Sequence, residues 1–238
     1  MPRVVKSPAC KYCAGHDQCI LHGSVGDASL DKFLSKRISR EYDKKEFIFF
    51  GGAVPTGVYM ICSGRVKIYR TSGDGKSLIT RVAGPGDMIG YRSVLASEPY
   101  GATAETMTKV VASHVPVEAF HCLMQENPQF SYTMLRKVSK ELGSAEDRAT
   151  SIVHDDARTR LMHTLADLAG TKMVVNGETG KSEPEIEILR QELAELTGLT
   201  LETTVRTLKA LERDGVVELL TRSIRILDWT KLTDALAD

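Results

Sequence analysis

The 238-residue chain predicts an α+β fold: an antiparallel β jelly roll (cupin-like), then one long helix, then a winged helix-turn-helix. Three observations predict it. Turn signals recur at Gly51-Gly52, Ser63-Gly64, Gly73-Asp74-Gly75 and Gly84-Pro85-Gly86-Asp87, with short apolar runs between them. From about residue 129 the apolar period lengthens to three or four residues. After residue 185 the pattern reads helix, short turn, helix, hairpin.

Composition sets the bounds. Hydrophobic residues make up 42% and charged residues 26%, enough for a buried core. No apolar run approaches the ~20 residues that span a bilayer, and the N-terminus lacks the apolar segment of a secretory leader. The expectation is a cytoplasmic protein without a membrane partner. Formal net charge is zero, so any nucleic-acid contact has to be local. No catalytic triad, P-loop or acid pair is visible, so the chain reads as a non-enzyme.

The boundaries follow from these shifts: a cysteine-rich tail over 1–28, a barrel over 29–128, a long helix over 129–156 and a winged helix-turn-helix over 157–238. The tail carries "CKYCAGHDQC", with Cys10, Cys13 and Cys19; Cys62 and Cys122 complete a set of five. An odd number of thiols in a reducing compartment argues against a disulfide framework and for metal or redox chemistry. Cys10, Cys13, His16, Cys19 and His22 recur every three residues, which would also suit a Cys3His zinc site.

In the long helix Leu135, Val138, Leu142, Ala145, Ala149 and Ile152 step by three or four residues, flanked by charged neighbours. Such a stripe packs either on the chain's own barrel or against a second copy; its narrowness and length favour the homodimer. "GTKMVVNGETGKSEPEIE" reads as a turn-rich link. Beyond it, Thr200 is placed to cap a helix over 201–213 and Gly215 to end it. At 100° per residue, Leu201, Thr204, Leu208 and Leu211 gather on one side. Glu202, Arg206, Lys209 and Arg213 gather on another.

A helix with one buried face and one mostly basic stripe suits the major groove. Arg pairs with guanine O6/N7, and a carboxylate accepts from cytosine N4. Glu202 and Arg206 suit one G·C pair, and Val205 at the stripe's edge could touch a thymine methyl. Arg190 and Gln191 at the start of the preceding helix, with Arg222 and Arg225 on the hairpin, would hold phosphates. The competing reading is a plain packing unit with solvent salt bridges. From residue 185 onward eleven Asp/Glu outnumber seven Lys/Arg, but many of the acids lie off the stripe.

In this order the three parts resemble the CRP/FNR family of bacterial transcription regulators. "GDMIG" at 86–90 is similar to the family's turn inside the barrel, and Glu202 and Arg206 in "GLTLETTVRTLKALERDGVV" match its E-x-x-x-R recognition signature. The resemblance covers nearly the whole chain. It implies a homodimer on palindromic double-stranded DNA, with RNA polymerase as a further partner. Within the family, Cys10, Cys13 and Cys19 have the C-x2-C-x5-C spacing of the FNR-like branch, where three such thiols hold a 4Fe–4S cluster that senses oxygen or nitric oxide. The branch's usual fourth cysteine falls on Ser113, leaving Cys62, with Cys122 as rival. Cyclic-nucleotide binders of the family place a Glu after the "IG" and an Arg-Ser pair beyond it. Here those positions are Tyr91 and Tyr100-Gly101, so a bidentate phosphate partner is missing; Arg92 reads as a surface residue. Three alternatives stay open: gating by an organic ligand or thiol redox, haem held by His114 or His121, and a metal or electron carrier on which the C-terminal fold only packs.

Overall fold

The computed structural model of the chain describes residues 2–7, 19–21, 28–169 and 184–234, which fall into two compact units, 1–142 and 143–238. Among the described residues no helix is long and apolar enough to cross a membrane.

In chain order the first unit contains β1 (Arg3–Val4), α1 (Ala28–Ser35), β2 (Ile38–Tyr42), β3 (Phe47–Phe49), β4 (Gly57–Ser63), β5 (Val66–Thr71), β6 (Ser77–Ala83), β7 (Met88–Ile89), α2 (Tyr91–Ala96), β8 (Thr103–Thr106), β9 (Val110–Pro116) and α3 (Val117–Glu126). It also holds the first half of α4 (Pro128–His154). Two antiparallel sheets, β1-β2-β9-β4-β7 and β3-β8-β5-β6, form the barrel that the turn spacing predicts. Strand β4 is buried on both faces. Tyr59 and Ile61 point between the sheets; Val58 and Met60 meet the core formed with α1, α3 and α4.

The three short helices in this stretch add to the mostly strand pattern that the turn spacing predicts. Each is ten residues or fewer, too short for a helical period to stand out. Gly90, at φ 82°, turns the chain from β7 into α2.

Helix α4 starts where sequence chemistry puts it. The Asn127 side chain accepts from Phe130 N at 2.8 Å, and Pro128 fills the first helical position, where no N–H is needed. Phe130 and Met134 are fully buried against the barrel. Val138, expected on the exposed stripe, packs partly on this same core, because it lies one turn beyond Met134 on the barrel side. Leu135 and Leu142 are 62% and 59% exposed, and Tyr132, which the stripe omitted, is 58% exposed.

The second unit continues with α5 (Ala157–Ala169), β10 (Glu185–Glu187), α6 (Arg190–Thr197), α7 (Leu201–Arg213), β11 (Val217–Leu219), β12 (Ser223–Ile226) and α8 (Trp229–Asp234). Asp156 caps α5 by accepting from Thr159 N at 2.8 Å. Part of the stretch read as a link is strand: β10 pairs with β12 in a three-stranded sheet, β10-β12-β11. The core closes with Leu161, Leu165, Leu193, Leu208, Leu211 and Ile224, all fully buried.

Candidate functional site

Among the described residues of the second unit, α7 carries an exposed polar row. Thr200 caps it, its hydroxyl accepting from Thr203 N at 3.1 Å, and Gly198 (φ 67°) ends α6 two residues earlier. Thr204, Leu208 and Leu211 bury one face. Thr204 keeps its hydroxyl satisfied on the Thr200 carbonyl at 3.0 Å. Glu202, Arg206, Lys209 and Arg213 are all exposed, and Val205 is half-buried beside them. Leu201, expected on the apolar side, is 45% exposed, since it sits in the first turn ahead of the packed face.

The expected phosphate contacts divide. Arg222 stands exposed at the tip between β11 and β12. Gln191 is exposed and donates to Glu195 at 3.1 Å. Arg190 turns inward instead: its guanidinium donates to the carbonyls of Leu220 (2.7 Å) and Ser223 (3.3 Å), bracing the wing. Burial holds that guanidinium below its ordinary range. Arg225 is likewise occupied, bridging Glu218 and Glu185 across the sheet. Those two arginines are structural because the tight wing leaves carbonyls and carboxylates that need donors.

Between the two sheets lies a core of buried side chains that includes Phe49, Tyr59 and Tyr100. Tyr100 is 4% exposed, stacks on Phe49 with centroids 4.0 Å apart, and donates to the Gly57 carbonyl at 2.8 Å. A Cβ at Gly90 would lie 3.1 Å from the Tyr100 ring, so the turn fits closely around it. Tyr91 is also buried, on the helix side of the sheet. Arg92 is exposed. A cation reaches this end of the barrel from another strand, which the sequence did not signal: Arg70 on β5 donates to the Gly101 carbonyl at 2.8 Å. His114 is half-buried, 3.2 Å from the Thr56 hydroxyl; burial lowers its pKa from 6.5.

Cys19, Cys62 and Cys122 lie on three different segments of the chain. Cys10 and Cys13, with His16 and His22, lie outside the described residues. Cys19 packs against the core between the sheet and its helices. Cys62 is the extra residue of a β-bulge, where the β4–β9 register shifts between Ile61 and Ser63. Bulges re-aim side chains, and this one brings Sγ of Cys62 to 3.4 Å from the Ser113 hydroxyl. Ser113 hydrogen-bonds Ser39 (2.6 Å), which bonds Ser7 (2.8 Å), so a row of hydroxyls leads to that thiol. Met60 and Ser113 are register partners, and Met60 belongs to the core that Cys19 joins. Cys122 lies elsewhere, on α3. It accepts from Lys32 at 3.2 Å and donates to Glu126 at 3.1 Å, at the edge of a cleft of about 360 Å³ between α1 and α3. Among the described residues no three His, Cys, Asp or Glu side chains converge as a metal site.

Known proteins match the same two parts. Residues 39–127 match the model of the cyclic nucleotide-binding domain, and residues 159–235 that of the Crp-like helix-turn-helix domain. A CRP-like cAMP-activated global transcriptional regulator of Mycobacterium tuberculosis is 27% identical over 81% of this chain and 85% of its own length. The transcriptional activatory protein AadR of Rhodopseudomonas palustris is 26% identical over 95% of this chain and 92% of its own. Among solved structures, the c-di-GMP responsive regulator CLP of Xanthomonas campestris shares the fold with a TM-score of 0.73 at 23% identity, over 84% of this chain and 98% of that one.

Proposed function

We propose that the chain, which matches the cyclic nucleotide-binding domain and the Crp-like helix-turn-helix domain, is a transcription regulator of the CRP/FNR type that works as a homodimer and reads palindromic DNA with α7. The observation that carries this is the exposed row Glu202, Arg206, Lys209 and Arg213 on a helix whose opposite face is buried. Glu202 and Arg206 take one G·C pair, Val205 a neighbouring thymine methyl, and Lys209, Arg213, Gln191 and Arg222 the phosphates. Arg190 is left out, since its guanidinium braces the wing. The seam is the outer side of α4, through Leu135, Leu142, Ala145, Ala149 and Ile152, with Tyr132 added and Val138 at its barrel-side edge. Two copies set the helices one DNA turn apart.

Control comes from the N-terminal thiols. Cys10, Cys13, Cys19 and Cys62 would hold a 4Fe–4S cluster, which would make DNA binding responsive to oxygen or nitric oxide. Cys62 is favoured as the fourth ligand over Cys122 because its described neighbours include the Ser113 hydroxyl, whereas Cys122 is engaged by the charged pair Lys32 and Glu126. Such a cluster supplies a redox-labile tie between the tail and the barrel. A cyclic nucleotide is disfavoured as the signal, because Tyr100 and Phe49 stack inside the barrel.

DNA selection followed by binding assays tests the assignment. Arg206→Ala should cost about 1–3 kcal/mol at one base pair per half-site and relax specificity there. Lys209→Ala should weaken all sequences alike and reduce the salt slope. Equal loss on every sequence from Arg206→Ala would make Arg206 a phosphate contact and overturn the base assignment.

A further inference from the structure

Five polar side chains clasp α4 to the barrel. Glu141 accepts from Tyr91 OH through one oxygen, and from Arg81 (2.7 Å) and Lys137 (3.3 Å) through the other. Asp87 completes the group, with Oδ1 3.3 Å from Arg81 and 3.8 Å from Lys137. The four charged side chains are only 23–28% exposed and balance in sign, so they are partly shielded from the screening that weakens surface pairs.

The group sits where two parts of the structure meet. Asp87 uses its other oxygen, Oδ2, to accept from Gly84 N at 2.8 Å, so one carboxylate both shapes the 84–87 turn and holds the helix. The turn is stapled to β4: Ile61 N donates to Asp87 O, and Gly86 N to Ile61 O, both at 2.8 Å. Ile61 immediately precedes the bulged Cys62. On α4, Lys137 and Glu141 continue the barrel-facing line of Phe130 and Met134. At 100° per residue, Leu135 and Leu142 stand about a third of a turn away from that line. Fixing Glu141 therefore fixes the angle at which Leu142, its neighbour, projects.

We propose that this clasp of Arg81, Asp87, Tyr91, Lys137 and Glu141 sets the rotation of α4 on the barrel and so sets how tightly two copies pair. The inference rests on α4 being the seam between copies. Tyr91 and Glu141 act as positioning residues and need not touch the partner subunit. Burial, then the Glu141 carboxylate, pushes the Tyr91 phenol up, so it stays a donor.

The test is sedimentation equilibrium of the full chain, with thermal unfolding alongside. Tyr91→Phe keeps the buried ring and removes only the hydroxyl. Glu141→Gln keeps the shape and removes the charge. Each should raise the dimer dissociation constant about 5–30-fold. The double variant should fall short of the product of the two effects, since both act on one hydrogen bond. Leu142→Asp, a charge in the seam itself, is the control for a monomer. Variants that melt earlier yet dimerise as tightly as wild type would reduce the clasp to a stabilising contact and overturn the inference. So would singles whose effects simply multiply. A wild type that stays monomeric at every concentration would instead overturn the seam on which the inference stands.

Discussion

Removing the Tyr100 side chain tests whether the barrel is a packed core or a disguised nucleotide pocket. The ring is 4% exposed, stacks on Phe49 at 4.0 Å, and its hydroxyl satisfies the Gly57 carbonyl at 2.8 Å. Truncating a buried aromatic to Ala costs about 3–5 kcal/mol. At about 2–4 °C per kcal/mol for a chain of this size, Tyr100→Ala should lower Tm by roughly ten degrees. Tyr100→Phe keeps the stack and strands one carbonyl, for about 1–3 kcal/mol. The paired assay is thermal unfolding of wild type with cyclic AMP in large excess. A ligand at one hundred times its Kd stabilises by about 2.7 kcal/mol, a shift of several degrees. The packed barrel predicts no shift. A shift of several degrees in wild type, abolished by Arg70→Ala, would refute the reasoning: Arg70, at Gly101, would then be the phosphate partner that the sequence lacks at Tyr100.

Two further outcomes follow from local chemistry. Burial holds the His114 pKa below 6.5, so the unfolded chain binds its proton first as pH falls. Its contribution to stability is intact above pH 6.5 and is lost as pH drops through the lower folded value; urea midpoints between pH 7 and 5 should fall less steeply in His114→Gln than in wild type, and identical slopes would contradict this. Thr200→Ala should cost about 1 kcal/mol by freeing the Thr203 N–H at the start of α7, read as a lower Tm of the C-terminal half; an unchanged Tm would mean that water replaces the cap at no cost.

Much of the fold was legible because its signals are local. Turn residues marked the strands, Thr200 and Gly198 marked the helix-turn-helix, and the three-to-four period marked α4. Helices α1 and α3 were hidden inside a barrel because two to three turns leave too short a period to stand out. Strand β10 was hidden because its partner β12 lies 38 residues away in sequence, and pairing at that distance has no local signature. The stripe on α4 looks like one face in sequence, but Val138 packs partly against the core between sheet and helices. A helix contacting two surfaces shows overlapping periods, and only packing separates them. Arg190 and Arg206 are alike as letters. What distinguishes them is the wing carbonyls that fold onto Arg190. The Cys62–Ser113 contact was likewise out of reach, because it depends on a bulge that shifts register by one residue.

The proposed control of DNA binding rests on an iron–sulfur cluster shared by the N-terminal thiols and the barrel. The most direct measurement is the absorption spectrum of anaerobically purified protein, with iron, sulfide and zinc content, taken before and after air together with DNA affinity. The protein should be brown, with four irons per chain by the cluster formula, and air should bleach it with a parallel change in DNA affinity. Colour should be lost in Cys62→Ser and kept in Cys122→Ser. Colourless anaerobic protein carrying one zinc per chain, with DNA binding indifferent to air, would contradict it.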